Sequence, residues 1–278
     1  MTLGDDLALH ERPVAVAPRS RVLATERFRV IGLLIRERGS VRVGELAARF
    51  GMTDETIRRD LARMEEMGFL ERSYGGAVAP RGDSETTYSG RLLEQSAAKM
   101  AIAARAAELI EDGDALILDA GTTTLCLVRC LAGRRDLFVA TNAVTHAVEL
   151  ASNAHISVVV IGGLLRPSTL GAVGDLAMGM LADLHVKRTF LATHSVSASA
   201  GLTGPRLDEV GIKRAMMKAA SEVVLLADHS KAGRASLVRV APVEAVARLI
   251  TSDGVDPAEV RAIRDLGVEV DVVPVPPE

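Results

Sequence analysis

The sequence predicts an α/β protein in two parts, an N-terminal winged helix-turn-helix joined to a larger domain built on a mostly parallel sheet. Three observations predict it. Between residues 25 and 79, apolar residues recur at helical spacing in three short segments that end in a Gly-containing hairpin. Beyond residue 90, seven short runs rich in Val, Leu and Ile are mostly separated by helical stretches, the pattern of a parallel sheet covered on both faces. The length of 278 residues suits two domains rather than one small module.

Residues 1 to 20 have no apolar periodicity and carry Pro13 and Pro18, so they are expected to form a mobile tail. In the domain spanning 21 to 79, Phe28, Ile31, Leu34 and Ile35 mark a first helix that Gly39 ends. A second helix fits Val43 to Phe50, and Gly51 and Met52 then make a tight turn. Thr53 is a good N-cap for a third helix reaching about Met67, with Ile57, Leu61 and Met64 along one stripe. Phe69 to Arg72, the Ser73 to Gly76 turn and Ala77 to Ala79 make the hairpin. Residues 80 to 90 are polar and turn-rich, an expected linker to the domain at 91 to 278. That domain opens with a helix near Arg91 to Asp112. Its strand runs are Ala115 to Asp119, Leu137 to Asn142, Ile156 to Ile161, Arg188 to His194, Glu222 to Asp228, Arg248 to Ser252 and Val268 to Val273.

Composition excludes several functions. With 5 Phe, 2 Tyr and no Trp, the chain has few aromatic rings on which to stack single-stranded bases. Its longest apolar stretches fall well short of the ~20 residues that span a bilayer, and Asp5, Asp6 and Glu11 do not suit a signal peptide; a cytoplasmic protein without membrane contact is expected. Cys126 and Cys130 lack neighbours at ligand spacing, so neither a metal nor a cofactor is expected. The net charge of -3 is divided: residues 1 to 82 hold 14 Arg against 12 acids (+2), and the remainder 19 basic against 24 acidic residues (-5).

The third helix has the chemistry of a duplex-DNA reader. A recognition helix needs an apolar stripe to anchor it and, opposite, side chains that reach base edges and phosphates. Thr53, Thr56, Arg58 and Arg59 supply hydroxyls and guanidinium groups at its N-terminal end, and Arg72 and Tyr74 sit where a wing would touch the backbone. Asp54, Glu55 and Asp60 argue the other way, since carboxylates repel phosphate and are common on solvated helices; winged helices also serve as protein-binding modules.

In the larger domain, polar residues follow the strand runs. Asp119-Ala120-Gly121-Thr122-Thr123-Thr124 lies where a strand ends and a helix begins, a junction whose unpaired N–H groups attract anions, although a plain capped turn uses the same residues. Thr141 and Asn142 follow the second run, Gly162 and Gly163 with Arg166 the third, and Asp228 with Lys231 the fifth. Ligands of open parallel sheets bind at the C-terminal ends of the strands, so these positions converge. Lysine is scarce beside 28 Arg, with only Lys99, Lys187, Lys213, Lys218 and Lys231; an ammonium on a flexible stem suits a phosphate.

Thr56-Ile57-Arg58-Arg59-Asp60-Leu61, Glu65-Glu66-Met67-Gly68-Phe69-Leu70 and Tyr74-Gly75-Gly76-Ala77-Val78 resemble the signature of DeoR-type bacterial transcriptional regulators. The resemblance continues through the Asp119 to Thr124 segment, Thr141-Asn142, Gly162-Gly163 and Asp228-His229-Ser230-Lys231, covering about residues 23 to 273. It implies a sugar-catabolic repressor whose C-terminal domain is similar to ribose-5-phosphate isomerase and CoA-transferase folds and senses a phosphorylated sugar. It also implies that Lys213, following Glu209, and Lys231 face the effector. One departure stands out. Where the family usually has Asp-Gly before Gly-Leu-Thr, this chain has His194-Ser195, then Gly201-Leu202-Thr203, which changes the hydrogen-bonding inventory at that position.

The expected partners are therefore double-stranded operator DNA, a phosphorylated sugar and further copies of the chain, as dimer or tetramer, since paired half-sites are read by oligomers. The rival reading is a sugar-phosphate isomerase with Asp119, Glu209, Asp228 and Lys231 as acid, base and electrophile. No metal motif or nucleophile elbow supports it, and a fused DNA module would be idle.

Overall fold

The computed structural model describes residues 23–78 and 88–276, with side chains except at positions 25, 36, 37 and 89. The expected tail at 1 to 20 and most of the expected linker lie outside these residues.

The N-terminal module runs α1 (Ala24–Arg38), β1 (Ser40–Arg42), α2 (Val43–Phe50), α3 (Asp54–Glu66), β2 (Glu71–Ser73) and β3 (Gly76–Val78). Gly39 and Gly51 end the first two helices in the left-handed conformation, where a side chain would be strained. Thr53 caps α3, its hydroxyl accepting from the Thr56 N–H at 3.3 Å. Ile31, Leu46, Ile57, Leu61 and Met64 close one buried core. The hairpin expected from the sequence is a three-stranded sheet of order β1-β3-β2, because β1 adds to it antiparallel. At three residues β1 is too short to show a period. Gly76 makes the pairing possible, since a Cβ there would lie 2.0 Å from the Val41 carbonyl oxygen.

The larger domain runs α4 (Tyr88–Leu93), α5 (Ser96–Ala107), β4 (Ala115–Leu118), α6 (Thr122–Cys130), β5 (Leu137–Thr141), α7 (Val144–Leu150), β6 (Ile156–Val160), β7 (Leu164–Arg166), β8 (Gly171–Val173) and α8 (Asp175–Ala182). It continues with β9 (Val186–Ala192), β10 (Ser195–Ser197), β11 (Gly201–Gly204), α9 (Leu207–Lys218), β12 (Ala220–Leu226), β13 (Val238–Ala241), β14 (Arg248–Ser252), α10 (Pro257–Asp265) and β15 (Glu269–Val273). The seven apolar runs become a single parallel sheet of order β15-β14-β12-β9-β4-β5-β6. Alternate residues feed two cores: Leu116 and Leu118 pack on one face with Phe190, Val224 and Ile250, and Ile117 on the other with Leu191, Leu225 and Leu249. Two small antiparallel sheets, β10-β11-β13 and β7-β8, were not expected.

Two boundaries differ from the expectation. The last three linker residues, 88 to 90, are helical, and Tyr88 is buried with its hydroxyl 3.1 Å from that of Thr145. The helix expected at 91 to 112 is broken after Leu93. Gln95 adopts φ 50, and Lys99 closes the break by donating from Nζ to the carbonyls of Arg91 and Glu94, which the end of α4 leaves unpaired.

Candidate functional site

The chain passes from β4 outward to β5 and β6, then returns to place β9 on the other side of β4. Ligands of open α/β sheets bind at such a reversal, outside the carboxyl ends of the strands. A cavity lies there. It is lined from β4 and α6 by Asp119, Gly121, Thr122 and Thr123, from the β5 end by Asn142, and from the β9 end by Thr193 and His194. Helix α9 adds Glu209 and Lys213, and the segment after β12 adds Asp228, Ser230 and Lys231.

The strand-to-helix junction is tightly built. Gly121 is required by close approach, because a Cβ there would sit 2.8 Å from that of Ala192. The Ala120 N–H is taken by Asn142 Oδ1 at 2.9 Å, while Asn142 Nδ2 donates to the Ala172 carbonyl at 2.9 Å. The first intrahelical bond runs from the Leu125 N–H to the Gly121 carbonyl at 3.0 Å, so the N–H groups of the preceding turn stand at the positive helix end facing the cavity. Behind it, His146 is buried with Nε2 3.1 Å from the Gly121 carbonyl oxygen, and burial pushes its pKa down to about 4, so it is neutral at pH 7.

Charge in the cavity is largely paired. Lys213 donates from Nζ to Asp119 Oδ2 and, at 2.8 Å, to the Ala192 carbonyl; Asp119 Oδ2 also accepts from the Ala192 N–H at 3.1 Å. Asp228 accepts from the Ser230 N–H at 3.0 Å and from its hydroxyl. Glu209 Oε1 lies 3.0 Å from Arg166 Nε, and Arg166 Nη1 reaches Asp208 at 2.5 Å. His194 lies with Nδ1 3.9 Å from Glu209 Oε2. Burial, then the positive charges of Lys213, Arg91, Lys231 and Arg166, push the His194 pKa down to about 3, so the ring is neutral at pH 7. Lys231 has no ion pair among the described residues.

The structure also moves some expected residues away from the cavity. Thr124 is fully buried and spends its hydroxyl on the carbonyls of Asp119 and Gly121, at 2.7 and 3.0 Å, so it braces the junction. Thr141 is likewise buried and donates to the Leu118 carbonyl at 2.8 Å. Gly162 and Gly163 follow the edge strand β6 and do not line the cavity; Arg166 acts on it through Glu209. The sequence reading missed Arg91, Glu94, Gln95, Lys99, Thr169 and Ser230, which do line it. Lys99 carried a signal as one of five lysines, and Ser230 as part of the Asp228 to Lys231 segment; Arg91, Glu94 and Gln95 depend on the helix break, and Thr169 on the turn between β7 and β8.

In the N-terminal module Arg58 and Arg59 are exposed on α3 without an ion pair among the described residues. The Thr53 and Thr56 hydroxyls lie 2.9 Å apart at its start. Arg72 is tied from β2 to α3: its N–H donates to Glu65 Oε1 at 2.8 Å and its Nε to Oε2 at 2.6 Å, bonds that hold the Glu65 carboxyl below its usual pKa. Tyr74 is fully exposed at the hairpin tip. Asp60, counted from the sequence among the phosphate-repelling acids, is instead buried against Arg27, with bonds of 2.7 and 3.0 Å.

With this geometry in place, comparison with known proteins is specific. A family model described as the DeoR-like helix-turn-helix domain matches residues 27–82, and one described as the DeoR C terminal sensor domain matches residues 94–253. An uncharacterized HTH-type transcriptional regulator, YulB, of Bacillus subtilis (strain 168) is 37% identical over 91% of this chain and 98% of its own. The HTH-type transcriptional regulator GlpR of Haloferax volcanii is 35% identical over 90% of this chain and 98% of its own. Ribose 5-phosphate isomerase A from Methanocaldococcus jannaschii aligns with 48% of this chain and 53% of that one at 19% identity, with a TM-score of 0.36, too loose to carry an argument.

Proposed function

Because the chain belongs to the DeoR family of helix-turn-helix transcriptional regulators, we propose that it represses sugar-catabolic genes and is released from its operator by a phosphorylated sugar bound in the cavity of its sensor domain. The observation that carries this reading is Lys231, a cation without an ion-pair partner among the described residues, lining the same cavity as the α6 N-terminus. A phosphate suits that pair of features, since the helix end supplies N–H donors and the ammonium a point charge. Asp228, Glu209, neutral His194 and Asn142 surround the remaining space with groups suited to hydroxyls.

The isomerase reading fits poorly. Asp119 is held by Lys213 and by the Ala192 N–H, Asp228 by Ser230, and Glu209 lies against Arg166, so each carboxylate serves to position its neighbours. A regulator working on operator DNA as a homo-oligomer in the cytoplasm accounts for both modules; no described helix is long and apolar enough to cross a membrane.

Coupling follows from α4. Arg91, Glu94, Gln95 and Lys99 line the cavity, and α4 directly follows in sequence the segment that leads from the DNA module. A ligand that alters the Lys99 bonds across the α4–α5 break acts on α4. The test is a thermal-shift screen of the full chain against phosphorylated sugars, their unphosphorylated parents and inorganic phosphate. A sugar phosphate at 100 times its Kd should stabilise the protein by about 2.7 kcal/mol, and the parent sugar should not. A melting temperature unmoved by every phosphorylated sugar would overturn the effector assignment.

A further inference from the structure

The two edges of the parallel sheet are built differently. Strand β15 carries Glu269 and Asp271, which pair with Arg248 and Arg105, and charge of this kind keeps an edge from joining another strand. Strand β6, at the opposite edge, reads Ile-Ser-Val-Val-Val, and residues 156 to 165 contain no charge at all. The Ile161 N–H bonds to the Thr141 carbonyl at 2.8 Å, so by strand alternation 157 and 159 turn their main-chain groups toward β5, and Val158 and Val160 turn theirs outward.

Exposed apolar side chains gather beside this edge. Val148 of α7 is 71% exposed, Leu164 of β7 73% and Leu176 of α8 79%, with Val160, Leu165 and Met180 also exposed. They flank the edge from both sides: α7, whose Leu150 packs on one face of the sheet, leads directly into β6, while α8, whose Ala177 and Leu181 pack on the other, follows the β7-β8 pair, and the Gly162 N–H points at Met180 Sδ, 3.2 Å away. At the exposures given, their accessible surface is roughly 600 Å², of the same order as the apolar part of a standard interface, which takes about 800 Å² from each partner and is roughly 65% apolar in homodimers.

We propose that this face binds a second copy of the same chain, β6 against β6, around a two-fold axis. The symmetry makes the paired edge strands antiparallel and joins the two sheets into one. The uncharged stretch from 156 to 165 suits self-association because residues next to a two-fold axis meet their own equivalents, where any charge would meet its like. The dimer would leave the carboxyl ends of β4 and β9, and so the cavity, outside the seam.

The experiment is the mass of the full chain in solution by light scattering and sedimentation, for wild type, Leu164→Glu/Leu176→Glu and the milder Leu176→Ser, with Val272→Glu on β15 as control. Circular dichroism and a cooperative thermal transition identify folded variants. We expect a wild-type dimer or larger even-numbered assembly. Folded Leu164→Glu/Leu176→Glu should lose it, and Leu176→Ser should weaken self-association by about tenfold or more, as removal of a large apolar contact does. Val272→Glu should keep the wild-type mass. A monomeric wild type would overturn the proposal, and if its β6 amides were also protected from exchange, another segment of the chain would be the occupant. Unchanged mass in folded Leu164→Glu/Leu176→Glu, or in Leu176→Ser where the double variant does not fold, would overturn it equally.

Discussion

Lys213 and Asp119 form a buried ion pair beneath the cavity, with Lys213 also donating to the Ala192 carbonyl and Asp119 accepting from the Ala192 N–H. Two residues at first suited to an effector thus hold α9, β4 and β9 together. Lys231, also lining the cavity, has no such partner among the described residues.

The contrast makes a paired prediction. Asp119→Ala leaves an uncompensated ammonium in the interior and should cost about 3 to 5 kcal/mol of stability in urea unfolding. Lys231→Ala should change stability by no more than about 0.5 kcal/mol, as surface substitutions do. It should nevertheless weaken binding of a phosphorylated sugar by about tenfold, the loss of one charge-assisted bond. Calorimetry on the full chain reads the second effect; a Lys231→Ala variant with wild-type affinity would place the phosphate elsewhere.

Arg27 and Asp60 give a prediction for the DNA module. The pair is buried and joined by two bonds between α1 and α3. Either single alanine variant should destabilise the module by about 3 kcal/mol or more, and the double variant should cost less than the sum because it strands no charge. Additive losses in a double-mutant cycle would show that the two side chains act separately.

For DNA contact, Arg58→Ala and Arg59→Ala should each weaken operator binding by about 1 to 3 kcal/mol if the contact is to a base, or flatten the salt slope by about one if it is to phosphate. Tyr74→Ala should leave stability unchanged, its ring being wholly exposed. Binding isotherms at several salt concentrations distinguish the cases, and unchanged affinity and slope in both arginine variants would take α3 out of the interface.

Lys99 gives a pH dependence with a defined sign. Burial pushes its pKa down to about 8, against partial opposition from the carboxylates of Asp228 and Glu94. The unfolded chain therefore holds the proton more tightly between about pH 8 and the ordinary value of 10.5, and the Lys99 contribution to stability is constant below that window and rises with pH across it. Affinity for a phosphorylated sugar should move the opposite way, falling above pH 8 as the ammonium loses its charge. Titrations from pH 7 to 10 on wild type and Lys99→Met should show this dependence only in the wild type. His194 is neutral in the folded protein throughout this range, so any slope it adds ends where the unfolded imidazole, with its ordinary value of 6.5, has also lost its proton.

What was legible in the sequence followed from period and composition. The seven strands of the parallel sheet stand out because burial on both faces demands unbroken Val, Leu and Ile runs, as in Glu222 to Asp228. Helices α1, α2 and α3 were legible from their apolar stripes and from Gly39, Gly51 and Thr53. Strands of three or four residues such as β1, β7 and β10 were not, because their partners, rather than their own pattern, make them strands. The site was legible where polar residues follow strand ends. Arg91 and Gln95 were hidden because the α4–α5 break is stabilised by a side chain from the next helix, and Asp60 looked like a surface acid because its partner lies 33 residues away.

Regulation is read from the operator affinity of the full chain, on a duplex selected by the protein itself, with and without the sugar phosphate that raises its melting temperature. Saturating effector should weaken operator binding by about tenfold or more, operator should weaken effector binding by the same factor, and Lys231→Ala should require more effector for the same release. An effector that binds the cavity yet leaves operator affinity unchanged would contradict the proposed regulation.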